Sequence, residues 1–450
     1  MTTGPEDTIA AIATAPGAGA VGIVRVSGPS AIAITEIGFR GSAPLADARG
    51  FTVHYGRLYD AAGEEVDEVL VTVFRSPHSY TGENAVEISC HGGDLQTSRV
   101  LQAILGLGAR PAAPGEFTKR AFLNGRIDLA QAEAVAALVA ARSQAAARAS
   151  LEQLEGRLSH RVRAIRSGLL ELAALLELEL DFSEEGIELA SGRQIAAKLA
   201  ESQLSVRTLI NSYKTGKVIR DGVSVAIVGK PNAGKSSLFN ALLQADRAIV
   251  THVPGTTRDS IEENIEIRGV LFKLTDTAGL RTSEDLVESE GIRRAYAAMQ
   301  SAEVILVVHD LTAAGTPQQA PAAGPGQAVV EVWNKADLAP PAGLIDGQLR
   351  VSAKQGLGIP YLEEALLASA GLSNGSEIEG GAVTSRRHAE CLAASDHALS
   401  RAEEAISSGL TGEIVALEVR EATRLLGEII GEVTSEEVLN SIFARFCIGK

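Results

Sequence analysis

The stretch that most constrains the fold runs from Val223 to Ser237. A β-prone apolar run leads directly into the string G-x-x-x-x-G-K-S, which occupies Gly229 to Ser236. A strand, a glycine-rich loop and a helix in this order bind phosphate, because backbone N–H groups converge on the oxygens and the helix dipole adds positive potential. We expect the helix to open near Lys235, Lys235 to reach the β- and γ-phosphates, and Ser236 to bind Mg²⁺. The sequence therefore predicts a P-loop domain.

Two further segments downstream carry groups suited to the metal and the γ-phosphate. Gly255 to Asp259 is a polar, glycine-hinged segment that can bring a threonine hydroxyl to the metal. Asp276 to Gly279 follows an apolar run, so a carboxylate at a strand end can hold Mg²⁺ through water while the Gly279 N–H faces the γ-phosphate. Both segments follow the P-loop in the order expected of a nucleotide-hydrolysing domain.

Two last segments point to the base. Asp337, in the string Asn334 to Asp337, can accept hydrogen bonds from both the ring N–H and the exocyclic amine of guanine, a donor pair that adenine lacks. Ser352 to Lys354 is placed to close over the base. The sequence therefore predicts GTP in preference to ATP. The predicted nucleotide-binding residues are Asn232, Ala233, Gly234, Lys235, Ser236, Ser237, Thr251, Thr256, Thr257, Asp276, Thr277, Ala278, Gly279, Asn334, Lys335, Asp337, Ser352, Ala353 and Lys354.

The usual hydrolytic glutamine is missing. Many regulatory GTPases place a glutamine directly after D-x-x-G to orient the attacking water, and here that position is Leu280. Either hydrolysis needs a partner, or a nearby side chain replaces the glutamine, unless these groups only form a solvated helix face. The candidates are Arg281, Glu284, Asp285, Glu288 and Glu290. No arginine finger is evident, and Asn232 with residues 251–256 could instead hold a monovalent cation against the phosphates.

Composition limits the partners and the compartment. The 450 residues predict roughly three domains. A net charge of −15 argues against tight, unaided binding to nucleic acid or an anionic membrane. Three scattered cysteines, no apolar run of roughly 20 residues, and a start without signal-peptide features predict a cytoplasmic protein. The terminal Cys447 to Lys450 does not match a prenylation motif.

Residues 1–118 predict a compact α+β domain. Runs at 9–13, 21–26, 52–59, 69–74 and 85–90 have the pattern of strands, and 98–107 has that of a helix. Polar, glycine-bearing loops at 79–83, 91–93 and 114–118 lie at strand ends. We interpret them as tight turns, with close approach to a ligand as the alternative.

The remaining segments predict helices around the nucleotide domain. From residue 119 the sequence is rich in Ala and Leu, and apolar residues spaced three and four apart from Leu151 to Leu176 predict one long helix. Thr434 to Glu437 predicts a capping box. We therefore expect a discontinuous helical domain, 119–216 and 373–450, with a Ras-like GTPase domain of mostly parallel sheet and flanking helices, 217–372, inserted into it. The fold class is multidomain α+β and α/β.

These motifs resemble those of the MnmE (TrmE) family of tRNA modification GTPases. The resemblance extends over almost the whole chain and is carried by Gly229 to Ser237, Gly255 to Asp259, Asp276 to Arg281, Phe446 to Lys450, Pro114 to Asn124 and Asp128 to Glu133.

The resemblance implies a K⁺ site beside the phosphates. Asn232 and Thr256 would bind K⁺ through their side chains, and Thr251 and Val253 through their main-chain carbonyls. The cation would act where other GTPases use an arginine finger.

The resemblance also implies the hydrolytic residues. Ser236 and Thr257 would bind Mg²⁺, and Glu288 would orient the attacking water through a second water. Glu288, Lys235 and Thr257 would form the catalytic set.

A folate site is implied in the N-terminal domain. It would bind (6S)-5-formyl-tetrahydrofolate or methylene-tetrahydrofolate through Arg25, Glu87, Arg126 and Lys450. Family members often carry lysine where this chain has Arg126, which keeps the charge and changes the hydrogen-bond geometry. Cys447 would lie near the folate, either as a reactive thiol or as a packed side chain.

The process implied is K⁺-stimulated GTP hydrolysis in the modification of certain tRNAs. A carboxymethylaminomethyl- or aminomethyl-type group would be added to C5 of the wobble uridine (position 34), with the folate as one-carbon donor. The N-terminal domain would form a homodimer, and two GTPase domains would meet when GTP and K⁺ are bound. An FAD-dependent partner of the MnmG (GidA) type would complete a heterotetramer and carry most of the tRNA-binding charge.

Two alternatives remain open at this point. A ribosome-assembly regulatory GTPase would share the nucleotide domain, but it would normally append a basic RNA-binding module, and neither flank here is basic. A folate-binding scaffold with a vestigial nucleotide domain would be excluded by measurable GTP turnover.

Overall fold

The computed structural model describes residues 7–181, 192–245, 262–276, 297–313, 323–338, 343–345, 347–372 and 381–449. Two compact units are present, Met1–Ala136 with Leu426–Lys450, and Ala137–Leu425. Within the described ranges, we find no helix whose length and hydropathy would let it cross a bilayer.

The first unit is built on a twisted sheet. Its described strands are β1 (Ile9–Ile12), β2 (Val21–Ser27), β3 (Phe39–Gly41), β4 (Thr52–Tyr59), β5 (Glu65–Phe74), β6 (Ala85–His91) and β7 (Arg110–Pro111). Their order is β3-β4-β5-β6-β2-β1-β7, antiparallel except between β1 and β7. Alternation along β5 buries Val69, Val71 and Val73 against the core.

Helices complete this unit. They are α1 (Ala31–Gly38), α2 (Asp94–Gly106), α3 (Glu116–Leu123) and α4 (Leu129–Ala140), which runs on past the unit boundary. The five predicted strands and the predicted helix are confirmed, although α2 begins at Asp94. The sequence reading missed α1, because its Ala-Ile alternation at 31–34 has the period of a strand, and missed β3 and β7, because they are too short to show a period.

Long helices begin the second unit. They are α5 (Gln144–Leu154), α6 (Arg157–Asp181) and α7 (Gly192–Asp221). The prediction of one helix through Leu151 to Leu176 is wrong, because Gly156 adopts a left-handed φ of 86° and ends the first segment. Leu158, Val162 and Leu169 are fully buried as the stripe predicts. Helix α7 packs against α5 and α6.

A second sheet follows α7 after the single residue Gly222. Its elements are β8 (Val223–Gly229), α8 (Lys235–Ala245), β9 (Glu262–Ile267), β10 (Val270–Asp276), β11 (Val304–Asp310), β12 (Ala328–Asn334), β13 (Gly343–Ile345), β14 (Gln348–Arg350) and α9 (Ile359–Ser369). The order is β13-β14-β12-β11-β8-β10-β9, and β9 and β13 are antiparallel edge strands on a parallel sheet. The predicted Ras-like, mostly parallel sheet is confirmed.

The sheet and the helices share one unit. The hairpin between β9 and β10 turns at Arg268 and Gly269, and the Ala145 N–H at the start of α5 donates to the Gly269 carbonyl over 2.9 Å. Helices α8 and α9 pack against the sheet. The nucleotide domain thus contacts the first helix of the helical segment through its edge hairpin.

The C-terminal helices are α10 (Arg386–Ser407), α11 (Gly412–Ile430) and α12 (Glu436–Phe443). Helix α10 packs along α7, and α12 packs on α3 within the first unit. The predicted capping box is displaced by one residue: Ser435 is the N-cap and accepts from the Val438 N–H, because the Thr434 hydroxyl donates to the Gly431 carbonyl. The division at 118, 216 and 372 stays a prediction.

Candidate functional site

The P-loop joins β8 to α8 with the local conformation that a phosphate cradle requires. Gly234 has a φ of 87°, and a Cβ there would lie 2.2 Å from the Asn334 amide nitrogen, so only glycine fits. Asn232 holds a left-handed φ of 64° on the exposed side of the loop. Helix α8 begins at Lys235, as predicted. The strand, the loop and the helix therefore hold the backbone in a conformation that can bind a phosphate.

Lys235 is folded onto its own loop. Its ammonium donates to the carbonyls of Gly229 and Lys230, 2.9 Å in each case, and the residue is only 8% exposed. Burying a charged group requires compensating partners. The loop thus keeps a cation at the place where phosphate oxygens would bind.

An oxygen pair lies beside this cation. The Ser236 hydroxyl donates to Oδ2 of Asp276 over 3.0 Å. Strands β8 and β10 run parallel, with Asp276 opposite Ile227, which brings the end of β10 to the start of α8. Asp276 is 4% exposed. Hydroxyl and carboxylate oxygens suit Mg²⁺, so these two residues fit the predicted metal.

The base-recognition segments are connected to the P-loop through Asn334. Its side-chain amide donates to the Ala233 carbonyl over 3.1 Å, and its Oδ1 accepts from the Ala353 N–H over 3.0 Å. Asp337 accepts from the Ser352 hydroxyl over 2.7 Å. The three segments that carry these residues, the P-loop, Asn334 to Asp337 and Ser352 to Lys354, therefore converge at one edge of the sheet.

A cleft of about 450 Å³ borders the base loop. It is lined by Ala353 and Lys354 of that loop, by Ala241 and Gln244 of α8, and by Glu363 of α9. Lys354 is exposed, as is Ser237 at the start of α8.

Several predicted site residues lie outside the described residues. They are Thr251, Val253, Thr256, Thr257, Thr277, Ala278, Gly279, Glu288 and Lys450. The other candidates to replace the missing glutamine, Arg281, Glu284, Asp285 and Glu290, also lie outside, as does Leu280 at the glutamine position itself. The water-orienting residue and most of the K⁺ ligands therefore stay predictions.

A second polar site lies on the N-terminal sheet. Arg25 on β2 faces Glu87 on β6 in the strand register, and its guanidinium donates to Glu87 Oε1 at 2.8 and 2.9 Å. The same guanidinium donates to the Gly449 carbonyl over 3.4 Å. Two of the predicted folate residues thus form one pair that also contacts the C-terminal segment.

Two aromatic rings lie close to Arg25. Its Cζ lies 5.1 Å from the Tyr80 ring centroid and 5.7 Å from that of Phe117, within cation–π range. The Tyr80 hydroxyl is 2.8 Å from that of Thr118. Burial raises the pKa of Tyr80, against opposing effects of Thr118, Arg25 and Arg126. Arg126 itself is exposed.

The sequence reading missed Tyr80 and Phe117. Tyr80 lies in the loop 79–83, but Phe117 lies in the first turn of α3, so the interpretation of 114–118 as a tight turn is wrong from Glu116 onward, where the helix begins after the left-handed Gly115. The two segments meet at Arg25. The signal that could have found them is an aromatic residue inside a polar, glycine-bearing loop at a strand end.

The parallel sheet, the P-loop cradle and the Asn334 to Asp337 segment define a P-loop protein of the guanine-nucleotide class. A family model described as MnmE helical domain matches residues 129–447, and one described as GTP-binding protein TrmE N-terminus matches residues 8–126. The chain belongs to the MnmE family.

Relatives agree over their full length. A protein of Salinibacter ruber named tRNA modification GTPase MnmE is 46% identical over 99% of this chain and 99% of its own. Proteins with the same name from Protochlamydia amoebophila and Symbiobacterium thermophilum are each 43% identical over 99% of this chain, covering 98% and 100% of their own lengths.

Among solved structures, the G domain of the T. maritima FeoB iron transporter is 24% identical over 33% of this chain and 98% of its own, with a TM-score of 0.23. The fold assignment does not depend on this likeness, because the sheet order and register stand by themselves.

Proposed function

We propose that this chain hydrolyses GTP and that the hydrolysis serves tRNA modification. The observation that carries the first part is the Ser236–Asp276 oxygen pair beside the Lys235 ammonium, on a loop that Asn334 ties to the base segment. The second part is supported by relatives that are named tRNA modification GTPase over essentially the whole length.

Each side chain has a definable task. Lys235 neutralises the β- and γ-phosphates, Ser236 and Asp276 hold Mg²⁺ directly and through water, and Asp337 selects guanine. The bound Mg²⁺ supplies charge stabilisation to the phosphates. Thr257 completes the metal site in this proposal, and Glu288 orients the attacking water in place of the missing glutamine.

K⁺ would supply the positive charge that an arginine finger supplies in other GTPases. Asn232 is exposed on the P-loop, so its side-chain oxygen is accessible to a cation. In the proposal it is joined by Thr251, Val253 and Thr256. Oxygen ligands of this kind suit a hard monovalent cation, which would stabilise charge developing during hydrolysis.

The N-terminal site is proposed to bind a one-carbon folate. Arg25, Glu87 and Arg126, with Lys450, would hold (6S)-5-formyl- or methylene-tetrahydrofolate. The support is the partly exposed Arg25–Glu87 pair, whose guanidinium lies within cation–π range of two aromatic rings. An arginine placed in this way offers donors in a fixed plane, which suits a ligand with carboxylate and heterocyclic groups.

The assembly is also proposed. Two copies would form a homodimer, and an FAD-dependent MnmG-type protein would complete a cytoplasmic heterotetramer. The complex would modify C5 of the wobble uridine of certain tRNAs, and the partner would hold most of the tRNA, since this chain carries a net charge of −15.

GTP turnover in K⁺ against Na⁺ tests the hydrolytic proposal. We expect K⁺ to stimulate turnover and Glu288→Ala to lower it by about 100-fold or more, the range of a lost general-base or water-positioning group. GDP affinity should stay unchanged, because Glu288 is assigned to the water and not to the nucleotide.

Glu290→Ala is the matched control, since it removes a carboxylate two residues away. Equal turnover in both salts would remove the K⁺ assignment. An unaffected Glu288→Ala enzyme, or an equal loss in Glu290→Ala, would remove the assignment of Glu288. A wild-type chain without turnover would end the proposal itself.

A further inference from the structure

Asp310 ends strand β11 beside the guanine segment, and none of the predicted roles includes it. Strands β11 and β12 run parallel, with Asp310 opposite Asn334 in the register. The Leu311 N–H donates to the Asn334 carbonyl over 3.0 Å, which fixes the two strand ends together. Asp310 thus lies opposite Asn334, the first residue of the segment that is proposed to recognise the base.

Lys335 is the partner of this carboxylate. Its ammonium lies 2.6 Å from Asp310 Oδ2, and the two side chains are 32% and 19% exposed. The Lys335 backbone has a left-handed φ of 69°, which is unusual for a residue other than glycine. Lys335 lies between Asn334, which contacts two loops, and Asp337, which is proposed to recognise guanine. The backbone conformation of Lys335 therefore sets the distance between these two residues.

The second oxygen of Asp310 is anchored within its own turn. Oδ1 accepts from the backbone N–H of Thr312 over 2.9 Å and from the Thr312 hydroxyl over 2.6 Å. Although desolvation acts in the opposite direction, hydrogen bonds from Lys335 and Thr312 hold the pKa of Asp310 below its ordinary value. The carboxylate is therefore charged at neutral pH and fixed in one orientation.

We propose that Asp310 is a positioning residue for guanine-nucleotide binding, which acts by holding the Lys335 side chain and its strained backbone in the base-receiving conformation. This inference rests on the proposed function. A free lysine side chain samples many rotamers, and ordering it on binding costs affinity. The Asp310 carboxylate removes that cost by ordering Lys335 before the nucleotide arrives.

The test measures the affinity of fluorescent GDP, and of a non-hydrolysable GTP analogue, for the full chain in Mg²⁺. Asp310→Asn keeps an acceptor for Thr312 and removes the charge that holds Lys335. We expect both ligands to bind about 3- to 10-fold more weakly, the range for a partly buried ion pair that pre-orders a binding residue. The two losses should be equal, because the pair lies on the base side of the site and not at the γ-phosphate.

A double-substitution cycle distinguishes positioning from general damage. On a Lys335→Ala background, Asp310→Asn should cause no further loss, because the carboxylate then has no lysine to order. Glu364→Gln is the matched control: it breaks the Arg268–Glu364 pair of 2.8 Å, which joins the β9–β10 turn to α9 in the same domain, and should leave both affinities unchanged. Far-ultraviolet circular dichroism of each variant checks folding.

Each other outcome is decisive. Unchanged affinities in Asp310→Asn, or losses that add fully to those of Lys335→Ala, would overturn the role of Asp310 and leave the proposed function intact. A wild-type chain that bound no guanine nucleotide would overturn both.

Discussion

Strained residues mark the candidate nucleotide site. Asn232 and Lys335 hold φ angles of 64° and 69°, in the left-handed region that side chains other than glycine rarely adopt. Backbone strain of this kind costs about 1–3 kcal/mol per residue and persists where surrounding contacts hold it. Asn232 lies in the P-loop, which the Asn334 side chain contacts at Ala233, and Lys335 follows Asn334 directly in the chain. Among the described residues other than glycine, Phe51 and Arg268 also have a positive φ, and both lie at turns outside this site. The hydrogen bonds of Asn334 therefore define the site, and the strain at Asn232 and Lys335 is consistent with it.

The three free cysteines differ sharply in their surroundings. Burial raises the pKa of the Cys90 thiol to about 11, so that thiol stays protonated at pH 8 and is also shielded from reagents. Cys447 is exposed near the end of the chain. We expect a disulfide reagent at pH 8 to modify Cys447 rapidly and Cys90 only after denaturation, which thiolate-release absorbance would measure.

Cys447→Ser is the control, because it should abolish the fast phase and leave the number of thiols released after denaturation lower by one. A fast phase that survived in this variant would come from Cys391, which is half-buried, or from Cys90, and it would contradict the expectation that Cys447 is the thiol that reacts rapidly.

At the scale of elements, the turn of the β9–β10 hairpin contacts two helices, α5 and α9. Its turn carbonyl at Gly269 accepts from the Ala145 N–H at the start of α5, and its Arg268 pairs with Glu364 of α9. Strand β10 ends at Asp276, the proposed metal residue. A substitution at the turn is therefore expected to affect both the start of α5 and strand β10, which carries Asp276.

Gly269→Ala should destabilise the second unit. Gly269 has a φ of 84°, where alanine costs about 1 kcal/mol, although a Cβ would meet nothing closer than 3.7 Å. Chemical denaturation followed by circular dichroism should show a lower midpoint.

Gly168→Ala is a control of opposite sign. Gly168 lies inside α6 with open space around its Cβ position. Alanine there should raise the free energy of unfolding by about 0.5–1 kcal/mol and so raise the midpoint. Equal shifts in the two variants would mean that the left-handed backbone at Gly269 does not hold in solution.

At the scale of the whole molecule, charge sets the expected relation to RNA. A net charge of −15 gives little attraction to a phosphate backbone, and affinity of that kind falls steeply with salt. We expect the purified chain alone to bind tRNA only in the micromolar range or more weakly at about 0.15 M salt. Fluorescence anisotropy of labelled tRNA would measure this.

The comparison is the same titration with an MnmG-type protein added, where tight binding should appear. Tight binding by this chain alone at the same salt would contradict the proposal that the partner carries most of the RNA contacts.

The sequence reading succeeded where periodicity or a contiguous string carries the information. Strands such as β5 and the start of α8 at Lys235 were predicted because alternation and the P-loop string are local. The long helix through Leu151 to Leu176 failed at Gly156, because an apolar stripe continues across a single left-handed residue without a visible change in spacing.

The sequence by itself determined the nucleotide chemistry of this protein, because Gly229 to Ser236 and Asn334 to Asp337 are contiguous strings whose backbone and side chains act within a few residues of each other. Only the tertiary structure decided which distant charges meet. Asp310 reaches Lys335 because two parallel strands end in register, and Arg25 reaches the Gly449 carbonyl, 424 residues further along, because the C-terminal segment packs on the N-terminal sheet. Such contacts depend on strand order and packing, which no local spacing encodes.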